Sequence, residues 1–327
     1  MSDTGESGEF ALIDWIRRQP APRPAGSWTR LGIGDDCAIL GLKPDDASPL
    51  PRELLVTTDM LMDGRHFHLD RDGAEAVGYK AMGVNLSDIA AMAGVPRAAV
   101  VAVALPRRQA DVVARGLHAG LRALADRHGV ELVGGDTNAW DGPLVIAVTV
   151  LGEATDRGAV RRSGARPGDA ILVTGALGGS LHSGRHLRPE PRIAEALLLH
   201  RTATIHAMID LSDGLSSDLS HILEESGGLG AVLDAGAIPV HDDARRLAPD
   251  DSLAALEHAL HDGEDFELCL TLPPGDAENL CAPGASPRVY RIGEIAETPG
   301  LLLRRADGRL IPVEPRGFDH LRGEAGQ

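Results

Sequence analysis

The segments LLVTTDM (54–60), GAEAVGYKAMGVNLSDIAAMA (73–93) and AAVVAVALP (98–106) read as strand, helix and strand. The first is apolar and β-branched up to Asp59. The second carries Ala76, Lys80, Ala81, Val84 and Asp88 at helical spacing, and the third is a buried apolar run closed by proline. The alternation continues on both sides. Residues 109–128 form a periodic helix, followed by the strand ELVGGD and the strand LVIAVTVLGE (144–153). Upstream, Phe10, Leu12, Ile13 and Ile16 share a helical face over 8–19, and Pro20 ends it. Turn residues cluster in RRSGARPGD (161–169), and ILVTG (171–175) then enters a glycine-rich turn. Helices are expected over 191–200 and 214–226, with strands at 231–234, 266–272, 288–295 and 301–305. This pattern predicts two α/β domains, 1–152 and 153–327, joined near 152–160.

The chain has 327 residues, 43% hydrophobic and 24% charged, enough for two ordinary cores. No apolar run approaches ~18 residues, so no transmembrane helix is expected. The polar, acidic start MSDTGESGE does not read as a secretory signal. Three widely spaced cysteines, Cys37, Cys269 and Cys281, suggest neither a disulfide framework nor a zinc site. A cytoplasmic setting is expected. The formal net charge of -16 disfavours nucleic-acid and anionic-membrane partners, which are held by Lys and Arg. The only lysines are Lys43 and Lys80, and neither sits in a Walker A loop. Phosphate chemistry here must use other means.

The positions of the aspartates carry the chemical signal. Asp35 and Asp36 stand between glycines and an apolar run, and Asp59 ends a strand after Thr57 and Thr58. Asp88 lies on a helix three residues after Asn85. Asp136 follows Gly134 and Gly135 at a strand end, and Asp210 and Asp213 bracket Ser212 before a helix. Each adjoins an apolar stretch, where an unpaired carboxylate costs several kcal/mol. Turn formation and helix capping explain any one of them. The repeated placement favours magnesium, which takes oxygen ligands and shares itself with substrate phosphates. GIGDD, GGD and VTGALGGS let backbone amides approach an anion, although each alone also reads as a turn or cap.

Other chemistries fit poorly. HExxH and GxSxG are absent, and the stretch Asp210 to His221 lacks the glutamate that closes an EF-hand loop. His66 and His68 lie two apart on one strand face, which would allow a metal pair. With Phe67 facing the core, one polar face is the simpler reading.

GIGDDCAIL, VTTDMLMDGRHF, KAMGVNLSDIAAMAG, GGDT, RSGARPGD, IDLSDGLSSDL, GEDFEL and GFDH occur in the order found in the thiamine-monophosphate kinases, which this chain resembles from about residue 8 to 320. That family belongs with the aminoimidazole ribonucleotide and selenophosphate synthetases. The resemblance implies a two-domain synthetase-like α/β fold. Its N-terminal domain contributes strands to a dimeric β-barrel, and its C-terminal α/β domain is larger. It implies ATP as co-substrate, held through several Mg2+ ions, thiamine monophosphate as acceptor, and a homodimer. Matched by motif, Asp36, Thr57, Thr58, Asp59, Asp88, Asp136, Asp210 and Asp213 look like metal ligands, with Asp59, Asp136 and Asp213 needed for turnover. Gly135, Asp136, Arg162 and Ser212 look like nucleotide contacts. His66, Glu264 and Phe318 would face the acceptor, Phe318 by stacking.

Three departures stand out. Asp262-Gly263-Glu264-Asp265 replaces the usual GGED, and Asn138-Ala139-Trp140 follows GGDT in place of Thr-Arg. The segment between VTGALGGS and RHLRPEPR is short, which bears on acceptor choice. The rivals are another ATP-dependent synthetase of the superfamily and a non-catalytic nucleotide-binding homologue. The first is disfavoured because the glycine-rich N-terminus lacks a selenophosphate synthetase's cysteine and the chain ends GEAGQ, not in a cysteine. The second is disfavoured by the complete carboxylate set.

Overall fold

The computed structural model describes residues 29–42 and 52–316. The expected helix over 8–19, Phe318 and the GFDH segment lie outside them. The first half contains β1 (Thr29–Leu31), β2 (Ala38–Leu42), β3 (Arg52–Met62), α1 (Leu69–Asp72), α2 (Ala74–Ala91), β4 (Val95–Pro106), α3 (Ala110–His128), β5 (Glu131–Trp140) and β6 (Val145–Glu153). Its six strands lie in the order β1-β2-β3-β6-β4-β5. The second half contains β7 (Ala170–Val173), α4 (Ser180–Ser183), α5 (Ile193–Thr202), β8 (Ala207–Asp210), α6 (Leu215–Glu225), β9 (Gly230–Asp234), α7 (Asp242–Leu247) and α8 (Ser252–His261). It closes with β10 (Leu268–Leu272), α9 (Pro274–Leu280), β11 (Tyr290–Ala296), β12 (Gly300–Arg304) and β13 (Leu310–Pro312). The seven strands of this sheet run β13-β12-β9-β11-β7-β10-β8.

The two sheets are covered differently. In the first, α2 and α3 pack on one face, and β6 alternates buried and half-buried residues along its length. Leu117, Leu121 and Leu124 form the apolar stripe of α3, and Gly129 ends that helix in the left-handed conformation. The two helices meet backbone to backbone. A Cβ on Gly120 would stand 1.9 Å from the Glu75 carbonyl oxygen, and one on Gly78 would stand 2.2 Å from that of Leu117. In the second sheet β7, β8 and β10 are buried at every position. Leu172, Met208, Leu268 and Leu270 face a core shared with α2 and α5, while Ile171, Ile209 and Cys269 face a second core under α6 and α8. Helix α2 therefore lies between the halves, and 14 of its 18 residues are buried.

Several expectations are corrected. Asp59 sits inside β3, which runs on to Met62, and Asp136 lies mid-strand because β5 continues through GGDTNAW. The 98–106 segment is not buried throughout, since one face of β4 is open and leaves Val100 exposed. His66 and His68 occupy the turn after β3, not a strand. Phe67 is buried as expected. Strands β1, β2, β8 and β13 and helices α1, α4, α7, α8 and α9 were not anticipated; these short elements gain definition from neighbouring strands and helices rather than from periodicity. Among the described residues the first sheet is open and forms no closed barrel.

Candidate active site

Strand alternation on β3 sends Thr57 and Asp59 toward α2 and Thr58, Met60 and Met62 to the open face. The Thr57 hydroxyl donates to Asp88 Oδ2, and the Asp59 carboxyl lies beside that of Asp88. One residue earlier on α2, Ser87 Oγ donates to Asp210 Oδ2 at 2.5 Å, bringing in the end of β8. Asp36, just before β2, completes the group. Asp36, Asp88 and Asp210 each offer an oxygen within 4.8 Å of the others.

One cation accompanies these acids. Arg162 grips Asp36 with two bonds, 2.7 and 3.2 Å, and its backbone N–H points at the Asp35 carboxylate (3.2 Å). No arginine lies within three residues of Asp36, Asp59, Asp88 or Asp210 in the sequence; the partner arrives from the segment between the sheets. One guanidinium is not enough. At an effective dielectric constant of ~20, two carboxylates ~5 Å apart repel by about 3 kcal/mol. Burial accordingly pushes Asp59 up to about 6 and Asp210 up to about 8. Burial, aided by Asp36, raises Asp35 to about 7. Asp88 is pushed well above the carboxylate range by burial and then by Asp59, Asp210 and Asp36. A largely buried, all-oxygen set in which burial and mutual repulsion disfavour the ionised carboxylates fits hard divalent cations.

Sequence reasoning missed three supporting residues. Asp218, buried on the first turn of α6, accepts the backbone N–H groups of Asp213 (3.1 Å) and Gly214 (3.0 Å) and so shapes the turn carrying Asp213. An acid in the first turn of an expected helix was its available signal. Ser87 and Lys80 are the others. Lys80, Ser87 and Asp88 fall on one stripe of α2, at i, i+7 and i+8.

At the far end of that stripe Lys80 joins two residues expected at the acceptor. Its ammonium donates to the His66 carbonyl oxygen (2.9 Å) and pairs with the Glu264 carboxylate. Glu264 belongs to a loop in which it and Phe266 both adopt φ of 52°, a costly conformation for residues with a Cβ. Backbone bonds from Glu264 to Ser212 O (2.7 Å) and from Phe266 to Leu211 O (2.9 Å) hold this loop against the Asp210–Asp213 turn. Beside Glu264 opens a cavity of about 270 Å³, lined by Gly175, Ser180, Arg185, Arg192 and Glu267 among others.

The remaining expected residues lie elsewhere. Thr58 donates to the Val148 carbonyl oxygen (3.2 Å) on the open face, next to Thr149. Asp136 is exposed and accepts from Asn138 (2.9 Å). Its strand is three spacings from β3, roughly 14 Å. Gly135 beside it has a local structural reason as well, since a Cβ there would stand 1.9 Å from the Val101 carbonyl oxygen. Within one chain, then, Asp36, Thr57, Asp59, Asp88 and Asp210 come together, and Thr58, Gly135 and Asp136 do not join them.

Comparison with known proteins gives consistent matches. The AIR synthase related protein family matches in both parts, its N-terminal domain over residues 34–154 and its C-terminal domain over 166–304. A thiamine-monophosphate kinase of Rhodopirellula baltica is 40% identical over 313 residues, 95% of this chain and 97% of that protein. Among solved structures, AaThiL complexed with AMPPCP and TMP superposes with a TM-score of 0.78 at 30% identity, covering 96% of this chain and 97% of that one. The thiamine-monophosphate kinase of Stenotrophomonas maltophilia K279a gives 0.69 at 36% identity, covering 93% and 98%.

Proposed function

This chain belongs to the thiamine-monophosphate kinase family, and we propose how its residues divide the work of that reaction. It is an ATP-dependent transferase that phosphorylates thiamine monophosphate. The observation that carries the reading is the clustered carboxylate set of buried Asp36 and Asp210 and half-buried Asp88, drawn from both halves and adjoining the loop that bears Glu264.

Mg2+ held by Asp36, Thr57, Asp59, Asp88, Asp210 and Asp213 would screen the charges of two phosphorylated reactants and keep them in line. The chain's own contribution is placement. Ser87 and Thr57 orient Asp210 and Asp88, Arg162 orients Asp36, and Asp218 fixes the turn of Ser212 and Asp213. Lys80 and Asp88 are eight residues apart on α2, about 12 Å along its axis. That separation leaves room for a phosphate-bearing acceptor between the acids and Glu264. His66, Glu264 and Phe318 are its proposed contacts, and Gly135, Asp136, Arg162 and Ser212 those of the nucleotide.

Transfer is direct. The acceptor phosphate oxygen is already a nucleophile near neutral pH, so no strong base is required. The bond from the γ-phosphorus to ADP breaks as the bond to thiamine monophosphate forms, giving thiamine diphosphate. A phosphorylated enzyme trapped during turnover would overturn this step.

We also propose a homodimer built on the first sheet, with a domain boundary near 152. Strand β2 pairs with β3 only as far as Val56, so Thr57–Met62 has no strand on that side among the described residues. The opposite edge, β5, is likewise open, and Met60 and Val133 on the uncovered face are each 57% exposed. A second copy closing both edges into a barrel would cover this face. It would also set β5 of that copy beside the open half of β3, which accounts for an Asp136 that stands apart within one chain. No helix among the described residues is long and apolar enough to cross a membrane, and the described cysteines are free, which supports a cytoplasmic enzyme.

The direct test is an assay of purified protein with ATP, Mg2+ and thiamine monophosphate, following thiamine diphosphate, with free thiamine as paired acceptor. Product from the monophosphate alone, abolished by chelator, is expected. Product from free thiamine only would overturn the acceptor.

A further inference from the structure

Lys80 is one of two lysines among 32 basic side chains, and it is fully buried. An ammonium removed from water is tolerated only with close partners, since isolated burial costs several kcal/mol. Its partners come from different halves of the chain. His66 lies in the turn after β3, and Glu264 lies in the left-handed loop between α8 and β10. A compact, three-donor ammonium fits between one carbonyl and one carboxylate oxygen, where the planar fork of an arginine demands a different geometry.

The Glu264 carboxylate is anchored through Oε2; its Oε1 has no hydrogen-bond partner among the described residues, and the side chain is 21% exposed beside the 270 Å³ cavity. Glu264 is thus held at one oxygen and open at the other. The backbone there is costly to maintain, and the bond to Lys80 is the side-chain restraint on it.

We propose that Lys80 is a positioning residue for the acceptor: its single ammonium locks the His66 turn and the Glu264 carboxylate together across the two halves of the chain. The proposal rests on the reading that His66 and Glu264 face thiamine monophosphate. Lys80 touches neither nucleotide nor acceptor in this role. It sets the distance between the two groups that do, so its loss falls on acceptor binding and spares the nucleotide.

The test measures KM for thiamine monophosphate and for ATP, with kcat, in full-length Lys80→Met, Lys80→Arg, Glu264→Gln and the Lys80→Met/Glu264→Gln double variant. Lys80→Met is expected to raise the acceptor KM about ten-fold while the ATP KM stays within about two-fold. The double variant should be no worse than Glu264→Gln alone, because both remove one unit. Lys80→Arg keeps the charge and should raise the acceptor KM about three-fold, which keeps the test open if the methionine variant does not fold. Equal rises in both KM values, an unchanged acceptor KM in folded Lys80→Met and Lys80→Arg, or additive losses would overturn the positioning role. An unchanged acceptor KM in Glu264→Gln would instead remove the acceptor reading, and the proposal with it.

Discussion

In the second sheet, β7, β8 and β10 carry no exposed residue, because helices cover both faces and every side chain along AILV, AMID and LCLTL is buried. In the first sheet one face lies under α2 and α3, while the other presents Met60, Met62, Val100 and Val133 to solvent. A sheet buried twice is a framework, and a sheet buried once keeps a surface to spend on association. The carboxylates lie where the two meet, with Asp59 on the covered side of β3, Asp88 on the helix between the sheets and Asp210 at the end of a fully buried strand. Position on a rigid seam, not on mobile loops, is what lets several buried acids be held close against their mutual repulsion.

The largest effect is expected at that seam. Asp59→Asn or Asp213→Asn should lower kcat by at least about 10³-fold with an unchanged circular dichroism spectrum. Near-normal turnover in either would remove that residue from the cation-binding set. Next comes the contrast between the sheets themselves. Leu270→Ala, in the doubly covered sheet, should cost about 2–5 kcal/mol in denaturant unfolding. Met60→Ala on the open face should cost under ~1 kcal/mol in the isolated subunit. Equal losses would mean that the open face is covered within one chain.

Met60→Asp should leave each subunit folded but shift sedimentation from dimer to monomer, since it places a charge in the proposed barrel. A dimer of unchanged strength would break the assignment of that face. Protonation gives a smaller, graded effect. Asp59 and Asp210 have native values raised to about 6 and about 8, so in chelator their contribution is fully present below about pH 4 and is lost as pH rises through those values. Magnesium favours the deprotonated set, so the rise in Tm on adding it should be several °C larger at pH 8 than at pH 5. The smallest effect sharpens the alternation along β3: Thr58→Val should change kcat less than about three-fold, whereas Thr57→Val, which breaks the bond to Asp88, should lower it by ten-fold or more.

Much of this was legible in the chain itself. The 3.6-residue pattern from 110 to 128, the alternation of β6 and the apolar runs of β7 and β10 announced the two α/β halves, because backbone periodicity is a local property. The recurrence of aspartate beside apolar stretches pointed to cation-assisted phosphate chemistry, because acids beside core are costly unless partnered. Tertiary structure decided which acids meet. Asp88 and Asp210 are 122 positions apart in sequence yet share Ser87 as an intermediary, while Asp136, with an equally good motif, lies three strands away. Strand order, the tail of β3 beyond β2 and the choice of Arg162 as partner to Asp36 depend on contacts between distant segments, which no local pattern encodes. The joining of His66 to Glu264 through one buried lysine belongs to the same class. Spacing gave each residue its element and its face, and only the packing of the two halves brought those faces together.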